Sequence, residues 1–329
     1  MRPFAYSTPR SLDEALTMIG EAARPIVGGT DLVTLMKADI VAPTRLVAMR
    51  TVLPRGIAQQ GGDVTLGAAT TLRDIEENPL LQREFRALSQ SAALAASQQI
   101  RNVATLGGNV LQRPRCWYFR DARVHCWLKG GDVCQARDGD NRQHAIFIDG
   151  SPCVAVHPSD PAVALTAFDA HLRIKGPRGE RIATIGEFFA LPSGDRRRET
   201  TLRDDELVIA VHMPTHPHET RSIYLKTMDR GAFSFALVAV AAVLRLSDEN
   251  RVGHARIVLG GVAPIPWRAH DAETILLSHE VDDDVIRRAA DAAIAHATPL
   301  QHNAWKPRVA RALIERALRM LVERDARRG

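Results

Sequence analysis

The chain has 329 residues, 45% hydrophobic and 25% charged, enough to bury two or three domains and too apolar for a disordered segment. Its 43 basic and 38 acidic residues leave a net charge of +5, scattered rather than gathered into a basic stripe with interleaved aromatics, so nucleic-acid binding is not expected. The N-terminal Met1-Arg2-Pro3-Phe4 lacks the apolar core of a secretory signal, and no apolar run reaches bilayer length, so no direct membrane insertion is expected.

In chain order, Ser11-Leu12-Asp13-Glu14 has the form of a capping box, which predicts a short helix behind it. The apolar run 24–27 stops at Gly28-Gly29 and is followed by a helix-compatible stretch through Met36 and Lys37: strand, glycine loop, helix. Val47 and Met49 mark a further strand, 64–68 alternates like a half-buried one, and helical patterns fill 71–96. Between 101 and 149 the periodicity dissolves into Arg, Gly, Asp and Cys, too long a stretch for a plain connection, so something other than an apolar core must order it.

Regularity returns at Ser159-Asp160-Pro161, an N-cap with proline in the first turn of a helix reaching Phe168, followed by a strand over 171–175 and a turn at 176–179. Arg196-Arg197-Arg198 and the C-terminal arginines read as solvated surface without a function. A break near His216-Pro217-His218 precedes strands at 223–227, 236–246 and 255–259, then helices from about Asp282 and Lys306. The last helix sets Val309, Leu313, Ala317, Leu318, Leu321 and Val322 on one face, which packing explains, and this tail reads as a separate α+β domain.

Three features carry chemistry. Gly28-Gly29 and, later, Thr105-Leu106-Gly107-Gly108-Asn109 expose backbone N–H groups to which an anion can come close, and two such loops suit a two-phosphate ligand. Each is also an ordinary turn pattern; neither matches Gly-x-Gly-x-x-Gly or a Walker sequence. Third, Cys116, Cys126, Cys134 and Cys153 all fall in the least regular part of the chain, at separations unlike Cys-x-x-Cys pairs. Four thiolates can hold a cubane iron-sulfur cluster or a zinc; two disulfides or four unrelated thiols are the alternatives. Trp117, Tyr118, Phe119 and Trp127 would shield a cluster or simply pack.

Together these segments resemble the FAD-binding medium subunits of the molybdenum hydroxylases, the xanthine dehydrogenase and aldehyde oxidoreductase class, nearly end to end. Pro25-Ile26-Val27-Gly28-Gly29-Thr30-Asp31-Leu32 looks like the family's first FAD loop and Arg101-Asn102-Val103-Ala104-Thr105-Leu106-Gly107-Gly108-Asn109 like its second. Ser159-Asp160, Asp205-Glu206-Leu207-Val208, Lys226 with Arg230, and Ile257-Val258-Leu259-Gly260-Gly261-Val262-Ala263-Pro264 look like its later signatures. The resemblance implies an α+β chain: a two-part FAD-binding domain of the vanillyl-alcohol oxidase / PCMH type over 1–54 and 55–217, then a smaller α+β domain over 218–329. It implies FAD contacts from residues 25–32, Thr105, Gly108, Asn109, Ser159, Asp160, Val208 and Lys226, with no catalytic acid or base.

The cysteine insert, at about 112–156, departs from the plain family pattern and resembles a branch typified by periplasmic aldehyde oxidoreductases. There the insert holds a 4Fe-4S cluster, and Cys116, Cys126, Cys134 and Cys153 fall at matching places. The implied partners are a small 2Fe-2S subunit and a large molybdenum-cofactor subunit, with an external electron acceptor. Such a complex works in the periplasm, by co-translocation with a partner, or in the cytoplasm. The rival expectations are a stand-alone flavin oxidase, against which the short C-terminal part argues, and a zinc-stapled scaffold.

Overall fold

The computed structural model describes residues 1–217, 219–247, 251–277 and 279–323. His218 at the expected break, and the arginines beyond 323, lie outside the described residues.

Three sheets follow one another along the chain. The first is parallel, in the order β1 (Ala5–Ser7), β3 (Arg45–Ala48), β2 (Ala23–Ile26). Its strands are joined by helices Leu12–Met18 and Leu32–Lys37, as parallel neighbours require. Ser11 caps the first helix by accepting from the Glu14 amide at 3.1 Å. Glu14 reaches one residue further back than a capping box would have it, accepting from the Arg10 amide at 2.6 Å.

The second sheet is antiparallel, in the order β4-β5-β8-β6-β7: β4 (Ile57–Gln60), β5 (Asp63–Gly67), β6 (His171–Gly176), β7 (Gly179–Thr184) and β8 (Leu207–Met213). The helical run expected over 71–96 is broken into Leu72–Glu77, Pro79–Glu84 and Arg86–Ala93, because Pro79 starts a new helix that Asn78 caps through the Leu81 amide at 3.1 Å. These helices and the helix Asp160–Ala167, all eight of whose residues are buried, form the main core with this sheet.

The third sheet, β12-β11-β10-β9, comprises β9 (Thr220–Thr227), β10 (Val238–Leu246), β11 (Val252–Gly260) and β12 (Trp267–Arg268). Ala239, Ala241, Val243 and Val258 face the main core, while Val238, Val240, Ala242 and Leu244 face a second core under the helices His270–Leu276, Asp283–Ile294 and Lys306–Val322. β10 is therefore covered on both faces, which explains its almost unbroken apolar sequence.

The cysteine-rich segment threads between these layers with little regular structure of its own, the helix Trp117–Arg120 and a single 3-10 turn at Trp127–Lys129. Side chains from elsewhere order it. Asn303 donates to the His144 and Ala145 carbonyls at 3.0 and 3.1 Å, and the buried Lys306 ammonium donates to the Gln143 and Gly261 carbonyls at 2.8 and 2.6 Å.

Candidate functional site

The two glycine loops meet. A Cβ on Gly28 would lie 2.0 Å from the Val103 carbonyl oxygen, so only glycine lets the first loop come this close to the backbone leading into the second. Gly29 takes φ +67°, a left-handed turn that releases the chain into the helix Leu32–Lys37. In the second loop Thr105 caps the helix Leu106–Val110 by accepting from the Gly108 amide at 3.3 Å. A Cβ on Gly107 would stand 3.1 Å from that of Ala68, so the loop sits tight against the second sheet.

Between the loops opens a cleft of about 400 Å³. All of residues 25–32 line it, together with Thr105, Gly108 and Val208. Its far wall is the segment 197–208, where Arg24 and Arg198 converge on Asp204 at 3.1 and 3.3 Å. The expectation that Arg196-Arg197-Arg198 is solvated surface holds in part: Arg197 is exposed, though it stacks over Trp127 at 4.9 Å and donates to the Gly131 carbonyl, while Arg196 and Arg198 are half-buried and donate to the Leu191 and Leu202 carbonyls at 2.8 and 2.9 Å.

Glu199 also lines the cleft, and no pattern singled it out. It is nearly fully buried, and burial raises its pKa against the lowering effect of Arg113, whose Nε lies 3.2 Å from Oε2. Its Oε1 has no hydrogen-bond partner. The arginines along the cleft suit a ligand that carries anionic groups, as a flavin dinucleotide does.

Asn109, Ser159, Asp160 and Lys226 stand behind the cleft rather than on it. The Ser159 hydroxyl donates to Asn109 Oδ1 at 2.6 Å. Asp160 accepts from Tyr224 Oη at 2.6 Å and from Lys226 Nζ at 2.8 Å, and the Lys226 side chain is completely buried. Ser159 and Asp160 line a smaller pocket with Arg115, Trp117, His144 and Phe235, and His157 lines both pockets.

The four cysteines are free thiols gathered in one apolar cluster with Leu35, Phe119, Trp127 and Leu128, so neither disulfide is present. Cys134 is pulled down to about 6, chiefly by a hydrogen bond with Cys153, whose own pKa is raised. Burial pushes Cys116 up to about 12 and raises Cys126. Each sulfur is within reach of backbone amides just after it or close by: Phe119 and Tyr118 for Cys116, Leu128 and Lys129 for Cys126, Ala136 and Val154 for Cys134, Ala155 for Cys153. His144 Nε2 lies 3.1 Å from Cys116 Sγ. Among the described residues, however, no three His, Cys, Asp or Glu side chains stand as a ready ligand set for a metal ion.

The comparisons with known proteins agree with this geometry. The family model described as the FAD binding domain in molybdopterin dehydrogenase matches residues 2–216, and that of the CO dehydrogenase flavoprotein C-terminal domain matches residues 223–321. The aldehyde oxidoreductase FAD-binding subunit PaoB of Escherichia coli is 35% identical over 93% of this chain and 94% of its own length. The carbon monoxide dehydrogenase medium chain of Hydrogenophaga pseudoflava is 28% identical over 96% of each. The solved carbon monoxide dehydrogenase from that organism covers 96% of each chain with a TM-score of 0.76 at 27% identity. With both halves matched in order by these models, the chain belongs to the FAD-binding subunits of the molybdopterin dehydrogenases.

Proposed function

We propose that this chain is the flavin-bearing electron-transfer subunit of an aldehyde-oxidising molybdenum hydroxylase, with FAD between the two glycine loops and a 4Fe-4S cluster on Cys116, Cys126, Cys134 and Cys153. Its partners on this reading are a small 2Fe-2S subunit and a large molybdenum-cofactor subunit, and its electrons leave to an external acceptor. The observation that carries the flavin assignment is the contact of the two loops at Gly28 across one cleft. The aldehyde reading is supported by the 35% identity to an aldehyde oxidoreductase subunit.

FAD supplies two-electron chemistry that lets the protein connect partner centres to an acceptor. What the chain's own residues do is hold and shield. The first loop's backbone at 28–30 offers N–H groups to the pyrophosphate, the second loop, whose 106–108 amides donate to Thr70, Ala68 and Thr105, forms the wall beside it, and Arg24, Arg113 and Arg198 add positive charge around it. Val208, Leu202 and Leu35 supply apolar wall. Ser159, Asp160 and Lys226 form the support beneath, setting the position of Asn109 and of the helix Asp160–Ala167.

A cubane cluster would supply one-electron transfer in the insert. The cluster assignment is supported by the packing of all four cysteines into one apolar cluster, the backbone amides near each sulfur and the aromatic cover of Phe119 and Trp127, which keeps water out. A single zinc would draw the four sulfurs into one tight tetrahedron, whereas a cubane holds them further apart around its own volume.

The test is partner dependence. Adding an aldehyde to the assembled complex is expected to bleach the flavin band, and adding it to the separated chain is expected to leave that band unchanged. Bleaching in the separated chain would overturn the subunit reading in favour of a stand-alone oxidase.

A further inference from the structure

We infer that Arg115 and Arg120, at the start of the cysteine segment, are positioning residues for the flavin loops and act through the carboxylate of Asp31. The inference rests on the flavin reading above and adds to it a coupling between two sites that are separate along the chain.

Asp31 stands at the N-cap of the helix Leu32–Lys37, where an aspartate ordinarily accepts from its own helix. It makes no such bond. Instead Oδ2 accepts from the Arg113 amide at 2.9 Å, and Oδ1 takes both Arg115 Nη1 and Arg120 Nη2 at 2.8 Å. All three donors lie between the end of the second glycine loop and the helix Trp117–Arg120, which follows directly on Cys116.

Each arginine is itself fixed. Arg120 donates further to the Pro114 carbonyl at 2.8 Å and the Arg113 carbonyl at 2.9 Å, and its own amide donates to the Cys116 carbonyl. Arg115 donates to Gln112 Oε1 at 2.9 Å and stacks over Phe235 of the C-terminal domain at 4.7 Å. One carboxylate thus joins the first loop, the exit of the second and the sulfur-bearing segment. The side chains of Asp31 and Arg120 are 14% and 17% exposed, so this is not a solvent-screened surface pair.

Neither arginine lines the flavin cleft, so neither contacts a dinucleotide there. Their effect is on the loop: with the Gly28 backbone already packed against the Val103 carbonyl, a small rotation of 28–32 changes where the first loop's backbone stands relative to the second loop and to the pyrophosphate between them.

The test is FAD affinity of the assembled complex, measured by removing the flavin and titrating it back with fluorescence as readout, with iron quantified in parallel. Arg120→Gln is expected to raise the Kd roughly tenfold or more, the effect of losing a charge-assisted hydrogen bond, with iron unchanged. Arg120→Lys, which keeps the charge but not the fork, is expected to fall between. The double variant Asp31→Asn/Arg120→Gln is expected to bind no more weakly than Asp31→Asn alone, because the two changes break one link. Wild-type affinity in Arg120→Gln, multiplying effects in the double variant, or iron lost in step with flavin would each overturn the inference. If Arg120→Gln does not fold, Arg120→Lys decides, and wild-type affinity there overturns it. A wild-type chain that takes up no FAD would instead overturn the flavin reading on which it rests.

Discussion

His157 shows how a single side chain links the two pockets. It is fully buried with its ring edge-on to Phe189 at 4.7 Å, and burial pulls its pKa down to about 3 against a hydrogen bond with the Val110 backbone. His144, beside Cys116, is drawn to about 4 by burial and then by Lys306. An unfolded histidine titrates near about 6.5, so between that pH and about 3 the unfolded chain binds protons that the folded chain refuses. The stability these neutral rings contribute is complete above about 6.5 and is lost as the pH falls. The unfolding midpoint is therefore expected to drop on acidification from about 6.5 to about 4, and less steeply in His157→Phe; equal slopes in the two proteins would contradict this. At this scale the glycines were legible in the sequence, since a missing side chain is a local fact. Glu199 and Arg198 were not, because their role comes from distant parts of the chain: Glu199 pairs with Arg113, and Asp204 joins Arg198 to Arg24.

Among the elements, β9 and the helix Asp160–Ala167 form the joint between the flavin domain and the C-terminal domain. Tyr224 and Lys226, two residues apart on one face of β9, both reach the Asp160 carboxylate at the helix start. Asp160 is fully buried; burial raises its pKa, while Lys226 and Tyr224 oppose the rise. Removing one partner of such a pair strands the other charge. Lys226→Met is expected to cost about 3–5 kcal/mol in chemical denaturation, with most of it restored in Asp160→Asn/Lys226→Met; a cost within error in the single variant would show that the pair does not brace the joint. Element type followed the sequence where periodicity was strong, as in Lys306–Val322. It was missed in β4, which is polar and exposed, and in β7, whose pattern barely alternates. Lys306 itself, expected on no buried face, is engulfed because the insert supplies carbonyls for its ammonium.

At the scale of the whole molecule, three sheets and their helices build the cleft proposed for the flavin, and a segment with almost no regular structure is held against it by side chains from both sides. The α+β architecture and the order of its parts were legible because they follow a family pattern along nearly the full chain, and the family matches at 2–216 and 223–321 agree. The way the insert is fastened was not legible, since Asp31, Arg197, Asn303 and Lys306 lie far apart in sequence. The central claim is that this one chain carries both a flavin and a cluster. It is tested most directly by an absorption spectrum of protein purified anaerobically with its partners, followed by flavin and iron quantitation on the separated chain. FAD together with about four irons on this chain is the expected result. FAD without iron would remove the cluster and leave the cysteines as packing, and zinc without flavin would contradict the account as a whole.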